Sequence, residues 1–185
     1  MNLINNITVK EYFNLKDSSE YDLFIDTLEA KPLFNGHKCN LKALSYDMVE
    51  TIKLMFFTGL EDDLREIFIE LFSLGSFEIS PEDEFYNASI FDLFRSKKYI
   101  QDWLLNLIKI EKLQLSGESD EKMMMINAGE RLKNVSHLLN KISLAEQFST
   151  TPNEIGKMKY TTVFTILLAN KLNADVTKDY IKLKM

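Results

Sequence analysis

Apolar residues recur three and four positions apart through most of the chain, the period of an amphipathic helix. In "TVKEYFNLKD" Thr8 is placed as a cap, and Glu11 completes a capping box. In "SSEYDLFIDTLEA" Ser18 or Ser19 can cap, with Tyr21, Phe24, Ile25 and Leu28 on one face and Pro32 just beyond the end. "KPLFNGHKCNLKALS" breaks the pattern. Its Asn35-Gly36 pair tolerates positive φ at both central positions of a tight turn, so a small hairpin near residues 33–39 and an unpaired connecting loop both fit. Helical text resumes behind Ser45, with Met48, Ile52, Met55 and Phe56 as the apolar stripe and Gly59 as left-handed stop. "LEDDLREIFIELFSLG" puts acids at the positive end of a helix, turns Leu64, Ile67, Phe68 and Leu71 inward, and closes at Gly75.

Ser80 and Pro81 open another helix, and Ser89 caps the longest periodic segment, where Ile100, Trp103, Leu104, Leu107 and Ile108 share a face. "SGESDEK", residues 116–122, is the most polar break and the natural hinge. Beyond it "SLAEQFSTTPNEIGKM", residues 143–158, reads as helix, turn, helix: Ala145 allows close crossing, Phe148 and Ile155 can pack on each other, Thr151 caps, and Pro152 takes the first helical position with Glu154 completing the box. In the last stretch Val163, Ile166 and Leu167 share a face that Asn170 interrupts, and "DVTKDYIKLKM" suits a final helical turn or a loose arm. The expected fold is all-α: a multi-helix bundle with a C-terminal helix-turn-helix corner. Residues 1–115 form an acidic N-terminal helical part and 118–185 a C-terminal helical part, as one compact domain or two tightly packed lobes.

Composition agrees with this. Only 6 Gly and 3 Pro in 185 residues favour long helices over many short strands, and 13 Phe with 8 Met suggest a generous core or an apolar contact surface. The single cysteine, Cys39, rules out a disulfide within one chain and suits a reducing compartment. The opening "MNLINNITVKEY" lacks the regions of a secretory signal, and no run of about 18 apolar residues is present to span a membrane. Charge is uneven: residues 1–80 hold 7 Lys+Arg against 14 Asp+Glu, and residues 118–185 hold 10 against 8. That balance disfavours wrapping a phosphate backbone and permits head-to-tail contact between copies.

Candidate chemistry is sparse. No glycine-rich phosphate loop occurs, and "EDD" and "EDE" both begin helices, where acids stabilise the dipole. His37, Cys39 and His137 fall short of the four ligands a structural zinc needs, so no metal, cofactor or catalytic residue is expected. The helix-turn-helix corner could read DNA through Asn153, Lys157 and Lys159, but Glu154 repels phosphate and few cations flank it; the competing reading is a purely structural corner. Met123-Met124-Met125 cannot all face one way on a helix, so burial all round competes with a partner contact, to which Trp103 would add.

The run "ISLAEQFSTTPNEIGKMKYTTVFTILLANKL" resembles the C-terminal part of small helical proteins from tailed bacteriophages, among them tail assembly chaperones. Leu144, Ala145, Phe148, Pro152, Glu154, Ile155 and Met158 carry the likeness, and "TVKEYFNLKD" has the same flavour. The resemblance implies a non-enzymatic virion component or assembly chaperone, working in the host cytoplasm or the particle through contacts with other phage structural or tail proteins, or with itself as an oligomer. A DNA-binding regulator built on residues 144–159 is the alternative from another class.

Overall fold

The computed structural model describes residues 6–184 except 26, 77, 116–125, 128–130, 133 and 134, and leaves out the side chain of residue 22. Met123, Met124 and Met125 therefore lie outside the described residues. Among these the chain is mostly helical, with nine α-helices and one two-stranded hairpin. It divides into two compact units, one of residues 1–42 and 52–107, the other of residues 43–51 and 108–185. The second unit thus takes a short segment from within the acidic front of the sequence.

The first unit begins with α1 (Val9–Phe13) and α2 (Ser19–Ile25). Thr8 and Glu11 close the expected capping box, with the Thr8 amide 2.7 Å from the Glu11 carboxylate. At the start of α2 the Ser19 amide donates to the Asp17 carboxylate at 2.9 Å. The hairpin forms: β1 (Leu33–Phe34) pairs antiparallel with β2 (His37–Lys38), and Asn35 and Gly36 take φ of 45° and 85°. It fixes Phe34, fully buried, against the rings of Phe68, Phe72 and Phe85 at 4.9, 5.5 and 5.9 Å. The buried Ser96 hydroxyl donates to the Leu33 carbonyl at 2.7 Å, so the one buried hydroxyl in this wall is satisfied.

α3 (Tyr46–Met55) supplies residues to both units, and Ser45 caps it by accepting the Met48 amide at 3.2 Å. Its buried stripe is Tyr46, Val49, Ile52 and Phe56; Met48 and Met55 are only half-buried, so the face is rotated from the one expected. α4 (Glu61–Phe72) buries Leu64, Ile67, Phe68 and Leu71 as the period requires, and Phe72 as well. It ends two residues earlier than the glycine suggests: Ser73, at φ 51°, takes the left-handed cap position rather than Gly75. Gly75 itself, at φ 104°, follows where an added Cβ would fall 2.7 Å from the Pro81 ring.

α5 (Pro81–Asn87) starts as read, with Ser80 accepting the Asp83 amide at 3.1 Å. α6 (Ile90–Leu115) buries Ile90, Leu93, Phe94, Ile100 and Leu104; Trp103 and Leu107 are half-buried and Ile108 is exposed, so the expected stripe is fully inward only at Ile100 and Leu104. An isolated bridge between Thr8 and Ser89 ties the starts of α1 and α6.

The second unit holds α7 (Ser136–Phe148), α8 (Pro152–Lys157) and α9 (Tyr160–Lys184). α9 is one uninterrupted helix, so the C-terminal segment is neither a single turn nor a loose arm. Ala, Leu and Lys favour helix there, and Lys171 meets Asp175 one turn on at 3.0 Å. Among the described residues no helix is long and apolar enough to cross a membrane.

Candidate functional site

The corner between α7 and α9 is built from caps and turns at Ser149 and Thr151. α7 stops at Ser149, which takes φ 52°, while the Thr150 amide reaches back to the Ala145 carbonyl at 2.9 Å. This satisfies carbonyls that the helix end would leave unpaired. Thr151 then accepts the Glu154 amide at 3.3 Å and Pro152 opens α8. Leu144, Ala145 and Ile155 are buried. Phe148 is not: it stays 49% exposed, and Leu144 and Ala145 are the buried residues of α7.

What closes the corner comes from residues 43–51. The Tyr46 amide donates to the Met158 carbonyl at 2.8 Å, the Tyr160 amide donates to the Leu44 carbonyl at 3.0 Å, and Ser45 and Lys159 form an isolated bridge. The Tyr46 and Tyr160 rings lie nearly parallel, 6.2 Å apart. Gly156 is buried against Asp47, so that an added Cβ would sit 1.9 Å from the carboxylate. Asp47 in turn receives Lys141 of α7 at 2.7 Å. The Tyr160 hydroxyl donates to Glu111. Burial first, then the Glu111 carboxylate, hold the Tyr160 phenol far above its ordinary range. Burial, then nearby Glu50, do the same to Tyr46, against an opposing bond to Asn140. Both phenols therefore stay protonated at neutral pH.

Asn170, which breaks the apolar stripe of α9, pairs its amide with Gln147 of α7 at 2.8 Å. That answers what the interruption is for: it is a polar fastener within the corner.

Asn153, Lys157 and Lys159 are all exposed, the first two on α8 and the third on the link to α9. Lys157 is paired with Glu154 at 3.1 Å, and Asp47 sets a carboxylate against the same helix at Gly156. A phosphate approaching Lys157 would meet the Glu154 carboxylate beside it. Trp103 lies half-buried on the part of α6 that belongs to the first unit.

In the first unit His37 Nε2 lies 2.7 Å from Glu84 Oε1. Glu84 also accepts the Gly75 amide at 2.7 Å and the Asn35 side chain at 3.2 Å. The Gly75 bond first, with His37 and Asn35 adding to it against some desolvation, holds the Glu84 carboxyl below its ordinary range. Burial pushes the Cys39 thiol up to about 12, which leaves it protonated and poorly nucleophilic at neutral pH. His37 and Cys39 therefore belong to hairpin packing. Among the described residues no three His, Cys, Asp or Glu side chains converge as a metal site. An open cavity of about 560 Å³ is lined by Tyr12, Ile25, Phe94, Lys97, Lys98, Gln101 and Asp102; Lys98 is committed to the Leu28 carbonyl at 3.1 Å.

The surface that stands out is apolar. Leu172, Val176, Tyr180 and Leu183 of α9 are exposed at 54%, 68%, 56% and 86%. At 3.6 residues per turn they fall within a single quadrant of the helix. Leu138, Leu139 and Ile142 of α7 are also exposed. Sequence reading passed over the α9 face because it treated that segment as an end; the spacing of 172, 176, 180 and 183 was the signal available. Searches for similar proteins return nothing: no family model, curated protein or solved structure matches the chain.

Proposed function

We propose that this chain is a non-catalytic structural or assembly protein of a tailed bacteriophage, a bundle of helices that works through helical protein–protein contacts. The observation that carries the contact reading is the exposed face of Leu172, Val176, Tyr180 and Leu183 on α9. Single exposed apolar residues are ordinary, whereas four on one quadrant of one helix support the reading of a contact surface. The phage assignment rests on the resemblance of residues 142–172, which coincide with the second half of α7, with α8 and with the first half of α9. Its partners are then other structural or tail proteins of the particle. Mass spectrometry of purified particles distinguishes the two forms of this reading: a virion component is present in them, and a chaperone is missing from them but co-purifies with a tail protein from infected cells. Failure on both counts overturns the proposal. A regulator that uses Asn153, Lys157 and Lys159 would instead retain duplex DNA in a gel shift, with affinity falling steeply as salt rises.

A further inference from the structure

In α9 the first turns fix which side packs on the helix's own unit: Tyr160 and Val163 are buried, and Phe164 and Leu167 half-buried. At 3.6 residues per turn, the face of Leu172, Val176, Tyr180 and Leu183 lies about half a turn around the axis from that packed side. Ala169 is exposed as well and falls near the middle of the same face. The midline is therefore Ala169, Val176 and Leu183, with Leu172 to one side and Tyr180 to the other. Asn173 and Asp179 flank it. Lys178 points to the far side of the helix, and Lys182 pairs with Asp179 at 3.8 Å. Lys184 sits at one edge, 4.4 Å above the Tyr180 ring. No charged residue stands on the midline.

We propose that this face is covered by the same face of a second copy of the chain, the two α9 helices running antiparallel across a two-fold axis at Val176. The midline residues stand seven apart and grow from Ala169 through Val176 to Leu183. Two such helices side by side in the same direction would leave a gap at Ala169 and crowd at Leu183. Reversed about Val176, each Leu183 reaches the level of the partner's Ala169, and each Tyr180 that of the partner's Leu172. The summed bulk is then even along the seam, as close packing requires. Charge points the same way. A parallel pair would align the two helix dipoles and gather Lys178, Lys182 and Lys184 of both copies at one end. The antiparallel pair opposes the dipoles and sets Lys182 and Lys184 at the level of the partner's residues 166–170, which carry no charge. An apolar patch of this kind presents on the order of 300–600 Å² per molecule. Two of them with their rims reach about 1,000 Å², the lower bound for a specific interface, so the dimer is weak and concentration-dependent. The contact is isologous and closes at two copies. It deepens the proposed function and rests on that reading of the α9 face as a contact surface.

Sedimentation velocity of the full-length chain across a concentration series is expected to show a monomer–dimer equilibrium and nothing larger. Val176→Asp is expected to weaken the dimer at least about tenfold, because it puts two carboxylates on the axis in an apolar seam. Ala174→Asp, exposed on the far side of the same helix, leaves the dimer unchanged. Both positions are exposed in the single chain, and circular dichroism melts verify that both variants fold. Direction is read by cross-linking in a Cys39→Ala background. Chains with Ala169→Cys and with Leu183→Cys are oxidised separately and as a mixture. The antiparallel pair gives a disulfide-linked dimer chiefly in the mixture, one chain of each kind. A wild-type chain monomeric at every concentration, a dimer indifferent to Val176→Asp, assembly beyond two copies, or cross-links formed chiefly within each variant alone overturns the inference. None of these results touches the proposed function, which stands or falls on the presence of the chain in particles or with a tail protein.

Discussion

Gly156 shows how one missing methyl sets a local geometry. Its Cα faces the Asp47 carboxylate so closely that any Cβ collides with it, and that carboxylate is the one Lys141 holds. Gly156→Ala therefore expels Asp47 and strands Lys141, which is only 16% exposed. The expected cost is about 1–3 kcal/mol, measured by chemical denaturation, although alanine is the better helix former. Asp47→Ala in the same background should recover part of it by clearing the space. Glu84 gives the pH counterpart. Its carboxyl is held below the ordinary range chiefly by the Gly75 amide, so its ionised form favours the folded state. That contribution is present at neutral pH and is lost as pH falls below about 4.5 and through the lower folded value. Glu84→Gln should be less stable than the parent at pH 7, and the difference should shrink in acid melts.

At the scale of elements, caps were the most legible feature, because they are local and depend on two or three side chains. Thr8 with Glu11, Ser80 with Pro81, and Thr151 with Pro152 all sit where the sequence places them. The Asn35-Gly36 hairpin was legible for the same reason, since its backbone needs positive φ at both positions. Faces were less so. The period of α3 is clear, but whether Met48 or Val49 points inward depends on Tyr46 meeting Tyr160, a contact more than a hundred residues away in sequence. The end of α4 was misplaced because a serine can adopt the left-handed conformation when the carbonyls of Ile69 and Glu70 reward it. Thr151→Ala tests a cap directly. It should cost about 1 kcal/mol by loss of the bond to the Glu154 amide, read as a lower denaturation midpoint with unchanged slope.

At the scale of the molecule, the acidic front and the faintly basic back do not coincide with the compact units. Residues 43–51 belong with residues 108–185, although their neighbours on both sides belong with the first unit. No local signal marks such a loan: "LSYDMVETI" reads as an ordinary capped helix start, and its value lies in Tyr46, which stacks on Tyr160, and Asp47, which meets Gly156 and Lys141. A cut at the polar hinge after residue 115 would therefore split the second unit's packing from part of its own core. A fragment of residues 108–185 leaves the Leu44 carbonyl and Tyr46 amide partners on Tyr160 and Met158 unmatched, exposes the Tyr160 ring and frees Lys141 from its acid. It should keep helical far-ultraviolet dichroism, because α9 is long and locally stabilised, but lose the near-ultraviolet signal of packed tyrosines and melt without cooperativity. Fusing residues 43–51 back through a flexible linker should restore a cooperative transition, and the same fusion with Tyr46→Ala and Asp47→Ala should not. If the bare fragment instead melts cooperatively with its tyrosine signal intact, the segment is an ornament on the unit and not a part of its core.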